Sequence, residues 1–105
     1  MSDKESNSEF IYDGERIVLH LYVAGMSQNS LLAIENIKKI CEEYFTDFFD
    51  LEIVDIYKHP EKLQEQQVLF SPSLIKKSPL PKKVLVGNFS DSTKVIKALG
   101  ITIKE

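Results

Sequence analysis

The chain has 105 residues, 43% of them hydrophobic, which at roughly 100–200 residues per domain is enough for one domain and no second. Thirteen Lys and Arg against sixteen Asp and Glu leave a net charge of −3 without any basic block, which argues against nucleic acid as a partner. Apolar runs such as Ile17-Val18-Leu19 fall far short of the ~18 residues that span a bilayer, and the polar start lacks a signal-peptide plan, so a cytoplasmic protein off the membrane is expected.

Residues 1–14 are rich in Ser, Asp, Glu and Asn and read as a flexible tail, with a single domain over residues 15–105. Residues 16–23, RIVLHLYV, are dense in β-branched and aromatic types and close on Ala24-Gly25, the pattern of a strand buried on both faces. Ser27 to Ser30 offer N-caps, and Leu31, Ile34, Ile37, Cys41, Tyr44, Phe45 and Phe48 recur at the three- and four-residue steps of one helix face. Glu35, Lys38, Lys39, Glu42 and Glu43 fall on the opposite, solvated face. Residues 51–57 form a second strand, and the strand, helix, strand order implies a parallel pair joined by a right-handed crossover.

His59-Pro60-Glu61 opens a second helix with proline at its first position and an acid in its first turn, although residues 62–67 are nearly all polar. Two short strands, around Leu74-Ile75 and over residues 82–87, flank the Pro79-Leu80-Pro81 turn as an antiparallel hairpin. Ser90-Asp91 caps a last helix that turns Val95, Ile96 and Leu99 inward and stops at Gly100. The order β-α-β-α-β-β-α predicts an α/β fold of the thioredoxin-like type, a four-stranded mixed sheet flanked by helices.

A redox enzyme of that fold needs a cysteine where the first strand meets the first helix, and here the turn reads Gly25-Met26-Ser27-Gln28-Asn29-Ser30. Cys41 lies deep in the helix on its apolar side, as a small buried hydrophobe. His20 and His59 have no spaced partners, so no metal is expected; no nucleophile motif or glycine-rich phosphate loop occurs, so no catalytic residue and no cofactor is expected. The peptide bond before Pro72 is open to both isomers: a cis bond would shape the edge where peptides dock, and a trans loop proline serves equally. Lys76, Lys77, Lys82 and Lys83 bracket the hairpin, either as a basic patch for an acidic partner or as edge lysines that discourage aggregation.

Taken together, Leu21-Tyr22-Val23-Ala24-Gly25 with Asn29-Ser30, Ile53-Val54-Asp55-Ile56 with Lys58-His59-Pro60, Ser71-Pro72-Ser73-Leu74, Pro79-Leu80-Pro81-Lys82-Lys83 and Gly87-Asn88-Phe89-Ser90 resemble, in order and spacing, the KaiB family of circadian clock proteins. The resemblance spans about residues 16–99 and implies a non-enzymatic module that docks on the ATPase KaiC, competes with a thioredoxin-like sensor kinase domain and helps sequester KaiA. It also implies a second half that switches between a tetrameric ground state and a thioredoxin-like binding state. The family commonly has Lys where this chain has Glu52, Asp where it has Asn88, and Arg where it has Leu32. Ala98 replaces a glycine found in some clock members, and since Ala exceeds Gly in helix propensity by about 1 kcal/mol, the thioredoxin-like state is the expected resting fold.

The expected function is therefore regulatory binding in a clock or in stress adaptation, with a KaiC-like ATPase or a sensor kinase as partner and the chain itself a monomer, dimer or tetramer. Glu52, Lys82, Lys83, Gly87 and Asn88 are the expected partner-facing residues. Two alternatives stand beside it: a sensor-type domain that binds a histidine kinase or response regulator, and a glutathione- or thiol-dependent enzyme whose chemistry has moved to Ser27 or Ser30 near Pro72.

Overall fold

In the computed structural model, which describes residues 14–62 and 71–101, alternation in the first apolar run produces a central strand, β1, over Ile17–Val23. Ile17, Leu19, Leu21 and Val23 point to one side and are almost wholly enclosed, while His20 and Tyr22 point to the other. A helix, α1, follows at Gln28–Tyr44, then β2 at Phe49–Asp55, a single 3₁₀ turn at Pro60–Lys62, β3 at Ser73–Ser78, β4 at Lys83–Val86 and a short helix, α2, at Ser92–Ala98. The sheet order is β2-β1-β3-β4. β1 and β2 run parallel, in register from Ile17 against Phe49 to Val23 against Asp55, and the β1/β3 and β3/β4 pairs are antiparallel. This is the α/β, thioredoxin-like arrangement read from the sequence. The expected tail lies outside the described residues except for Gly14, as do positions 63–70 of the expected second helix, of which the 3₁₀ turn at Pro60–Lys62 is the described part.

The main core lies on the side of the sheet that carries both described helices. Ile17, Leu19, Leu21, Val23 and Leu74 pack there against Ala33, Ile37, Ile40 and Cys41 of α1, Phe45 beyond it, and Val95, Ile96 and Leu99 around α2. Each such aliphatic side chain contributes about 1.5–3 kcal/mol by leaving water. A smaller cluster of Tyr22, Val54 and Ile75, with Ile56 against it, forms on the other side.

Two predicted features of α1 change. The Ser27 hydroxyl accepts the Ser30 amide at 3.2 Å and begins the helix as expected, but the buried stripe runs through Ser30, Ala33, Ile37 and Ile40, so Leu31, one residue round the helix, is exposed. At the other end Phe45 caps the helix, and Thr46 adopts a left-handed conformation with φ of 53° that turns the chain away from the helix axis. Phe48 therefore leaves the helix face and is 50% exposed. Asp91 caps α2, its carboxylate accepting the Lys94 amide at 3.2 Å, and Gly100 ends it with φ of 72°. Ala98 is the last residue of α2, where helix propensity counts for less than in a helix interior.

Candidate partner-binding surface

The expected site residues divide between the two edges of the sheet. Lys83 begins β4, one of those edges, with Lys82 just before it, and Gly87 and Asn88 follow its end. Gly87 adopts φ of 138°, open to glycine and strained for other residues, and donates its amide to the Pro72 carbonyl at 3.0 Å, which extends the β3/β4 ladder by one step. The Asn88 side-chain oxygen accepts the Ser90 amide at 3.2 Å, and its carbonyl accepts the Asn36 side-chain amide of α1 at 2.8 Å. Phe89, with φ of 62°, then drops its ring into the core.

Sequence reasoning passed over Asn36, although its place beside the apolar stripe, three residues after Ala33 and four before Ile40, marks a polar group that needs a partner. Asn36→Ala should lower stability by about 1 kcal/mol through loss of this bond. Urea unfolding measures that loss, and amide exchange at Asn88 and Phe89 should accelerate with it.

Glu52 stands on β2, at the opposite edge, directly across from His20, whose Nε2 lies 3.5 Å from a Glu52 oxygen. Three strand spacings, about 14 Å, separate the β2 and β4 edges. The structure thus gathers Lys82, Lys83, Gly87 and Asn88 at one edge and leaves Glu52 apart from them. Lys76 also leaves the expected basic patch: alternation with Leu74 turns it to the helix side, where it is 1% exposed and its Nζ donates to the Leu99 carbonyl at 2.7 Å. Burial pushes its pKa below the ordinary value, and neighbouring Lys83 adds to the effect.

The cis X-Pro bonds of the described residues precede Pro79 and Pro81, and the bond before Pro72 is not among them, which corrects the cis alternative. Pro72 instead leads into β3, with its carbonyl in the ladder to Gly87. A polar pocket of about 310 Å³ forms beside it, lined by Ser27, Asn29, Ser30, Tyr57, Ser71 and Pro72 among others. Its described lining holds no thiol, imidazole or carboxylate, and Ser27 and Ser30 are bonded to each other at 3.1 Å while Ser27 caps α1. Cys41 is enclosed in the core, and desolvation pushes its thiol up to about 12, far from the thiolate a redox site requires. Among the described residues no three His, Cys, Asp or Glu side chains come together as metal ligands, and no helix is long and apolar enough to cross a membrane.

Beyond the pocket, the carboxylate of Asp55 joins the ends of β1 and β2. One of its oxygens accepts the amides of Gly25 at 2.9 Å and Tyr57 at 3.0 Å, and these bonds hold its pKa below the usual carboxylate value. At the other end of the same strands, Arg16 grips Asp50 with two bonds of 2.9 and 3.0 Å.

This architecture is shared with the N-terminal domain of Synechococcus elongatus SasA, whose solution structure superposes with a TM-score of 0.63 over 86% of this chain and 89% of that one, at 16% identity. In sequence, the chain is 39% identical to circadian clock protein KaiB3 of Synechocystis over 89 residues, 85% of this chain and 87% of that protein. It is 38% identical to the circadian clock oscillator protein KaiB of Microcystis aeruginosa over 88 residues, 84% and 85% of the two chains. The KaiB domain model matches residues 20–101, from the middle of β1 to just past α2, and the chain belongs to the KaiB family.

Proposed function

We propose that the chain is a non-enzymatic regulatory module that docks on a KaiC-like ATPase in clock or stress-adaptation control. The observation that carries this reading is the pairing of KaiB-family sequence over residues 20–101 with a thioredoxin-like fold whose redox position holds Ser27, the cap of α1, hydrogen-bonded to Ser30. The fold common to this chain and the SasA domain supports competition between such domains for one ATPase. Native mass spectrometry of the chain mixed with the KaiC-like ATPase of its own genome, with and without ATP, tests the proposal. A stoichiometric, nucleotide-dependent complex is the expected result, and free chain in every nucleotide state overturns it; the mass of the free species reads monomer, dimer or tetramer.

Glu52 sets which ATPase is accepted. Where the family resemblance implies a lysine this chain has a carboxylate, which opposes an acidic surface that a lysine would attract. Glu52→Lys should strengthen docking on a clock-type KaiC about tenfold, and unchanged affinity in a titration would remove the charge from the account. The likeness in fold to the SasA domain also favours a second reading, a sensor-type domain that binds a histidine kinase or response regulator. Recovery of a kinase and no ATPase in a pull-down would select it.

A further inference from the structure

The outer edge of β4 has three properties that coincide at no other edge of the sheet. First, its hydrogen-bonding groups face outward in a defined set. Gly87 donates to Pro72, and Val86 stands opposite Ser73, so the narrow pairs of the antiparallel ladder are Gly87 with Pro72, Leu85 with Leu74, and Lys83 with Lys76. Val84 and Val86 therefore direct their N–H and C=O groups away from β3, and among the described residues no strand lies on that side. Their side chains are 56% and 65% exposed.

Second, a groove of about 410 Å³ runs beside this edge, between β4 and α2, with Leu85, Val86, Gly87, Lys94, Val95 and Ala98 in its lining. An unpaired strand next to a helix-walled groove is the geometry of strand addition, in which backbone bonds hold an extended segment and the groove takes alternate side chains. Third, the edge is basic within an acidic chain. Lys83 begins it, with Lys82 just before, and Lys94 lines the groove, while the carboxylate of Asp91, also in the lining, is engaged as the cap of α2. The opposite edge, β2, has Asp50 held by Arg16 and Asp55 held by two amides, and it presents the acidic Glu52 and no lysine, so it attracts an acidic strand less than the β4 edge does.

We infer that the β4 edge and the groove beside α2 form a strand-addition site for an extended acidic segment of a protein partner. The inference rests on the proposed reading of the Lys82 to Asn88 end as partner-facing, and it supplies the mode of recognition. The added strand places one set of alternate residues over Leu85 and Lys83 and toward α2, where a carboxylate meets Lys83 or Lys94. It places the other set beside Val84 and Val86, where apolar side chains extend their surface.

Titration of the ¹⁵N-labelled full chain with an end-blocked hexapeptide of alternating glutamate and valine tests the site. The expected result is slowed amide exchange at Val84 and Val86. Val86→Pro, which removes an outward donor at an edge position where proline is tolerated, should weaken binding about tenfold or more. Lys83→Glu combined with Lys94→Glu should weaken it to a similar degree, about tenfold, and transfer the preference to the matching lysine–valine peptide. Equal affinity of the native chain for both peptides, protection along β2 instead, or binding only after removal of residues 1–13 would each overturn the inference. An ATPase complex that forms while the peptide does not bind removes this site alone. Peptide binding without any ATPase complex removes the proposed function and leaves the site standing.

Discussion

Lys76→Ala should destabilise the fold by about 3 kcal/mol, one of the two largest effects expected of a single substitution here. The side chain is enclosed on the helix side of the sheet, and its ammonium meets the carbonyl of Leu99 where α2 ends. Truncation leaves a cavity in place of the four-carbon stem and strips a buried carbonyl of its donor, while relief of the ammonium's desolvation offsets part of the loss. Lys76→Met keeps the stem and should cost only about 1 kcal/mol, so the difference between the two variants in urea unfolding isolates the packing.

The same residue predicts a pH dependence of definite sign. Its pKa in the folded chain lies below the ordinary value of 10.5, so the unfolded chain binds the proton more tightly. As the pH climbs through the lowered value toward the ordinary one, the unfolded state holds more protons and stability rises. In Lys76→Met that alkaline rise should disappear, and a native stability curve that is flat or falling across the same window would contradict the assignment.

Phe45→Ala should cost about 3–5 kcal/mol and Phe48→Ala less than about 1 kcal/mol, although the two lie three residues apart and share one helical face in the sequence pattern. Phe45 caps α1 and is 1% exposed, whereas Phe48 sits beyond the left-handed turn at Thr46 with half its surface in water. Thermal unfolding of the two single variants measures the contrast directly. Similar losses would mean that the helix continues through Phe48 in solution.

That contrast marks where the sequence is legible. The strands, the parallel β1/β2 pair and the hairpin could be read because β-branched runs and turn residues act over a few positions, although the second strand begins at Phe49 rather than Leu51, and the capping segments Ser27 to Ser30 and Ser90-Asp91 could be read for the same reason. The exit of the chain at Thr46 could not, because nothing in the local pattern distinguishes Phe45 from Phe48. Lys76 looked like one of four surface lysines, since only the alternation of β3 against the far end of α2 reveals its burial.

The candidate surface divides in the same way. Lys82, Lys83, Gly87 and Asn88 are neighbours in the chain and remain neighbours in space, but the distance from them to Glu52 depends on strand order, which no local signal encodes. The groove beside β4 escaped sequence reasoning for the same reason, being formed by elements that meet only in the folded sheet.

The enclosure of Lys76 also gives the molecule an internal gauge. Amine-reactive reagents modify exposed lysines such as Lys38, Lys77 and Lys82 at the rate of the chemistry itself, but they reach Lys76 only when the end of α2 lifts from the sheet. Its lag behind the other lysines, followed peptide by peptide, therefore counts openings of the last helix, and a partner that clamps or releases that helix can be recognised by the change in this one labelling rate.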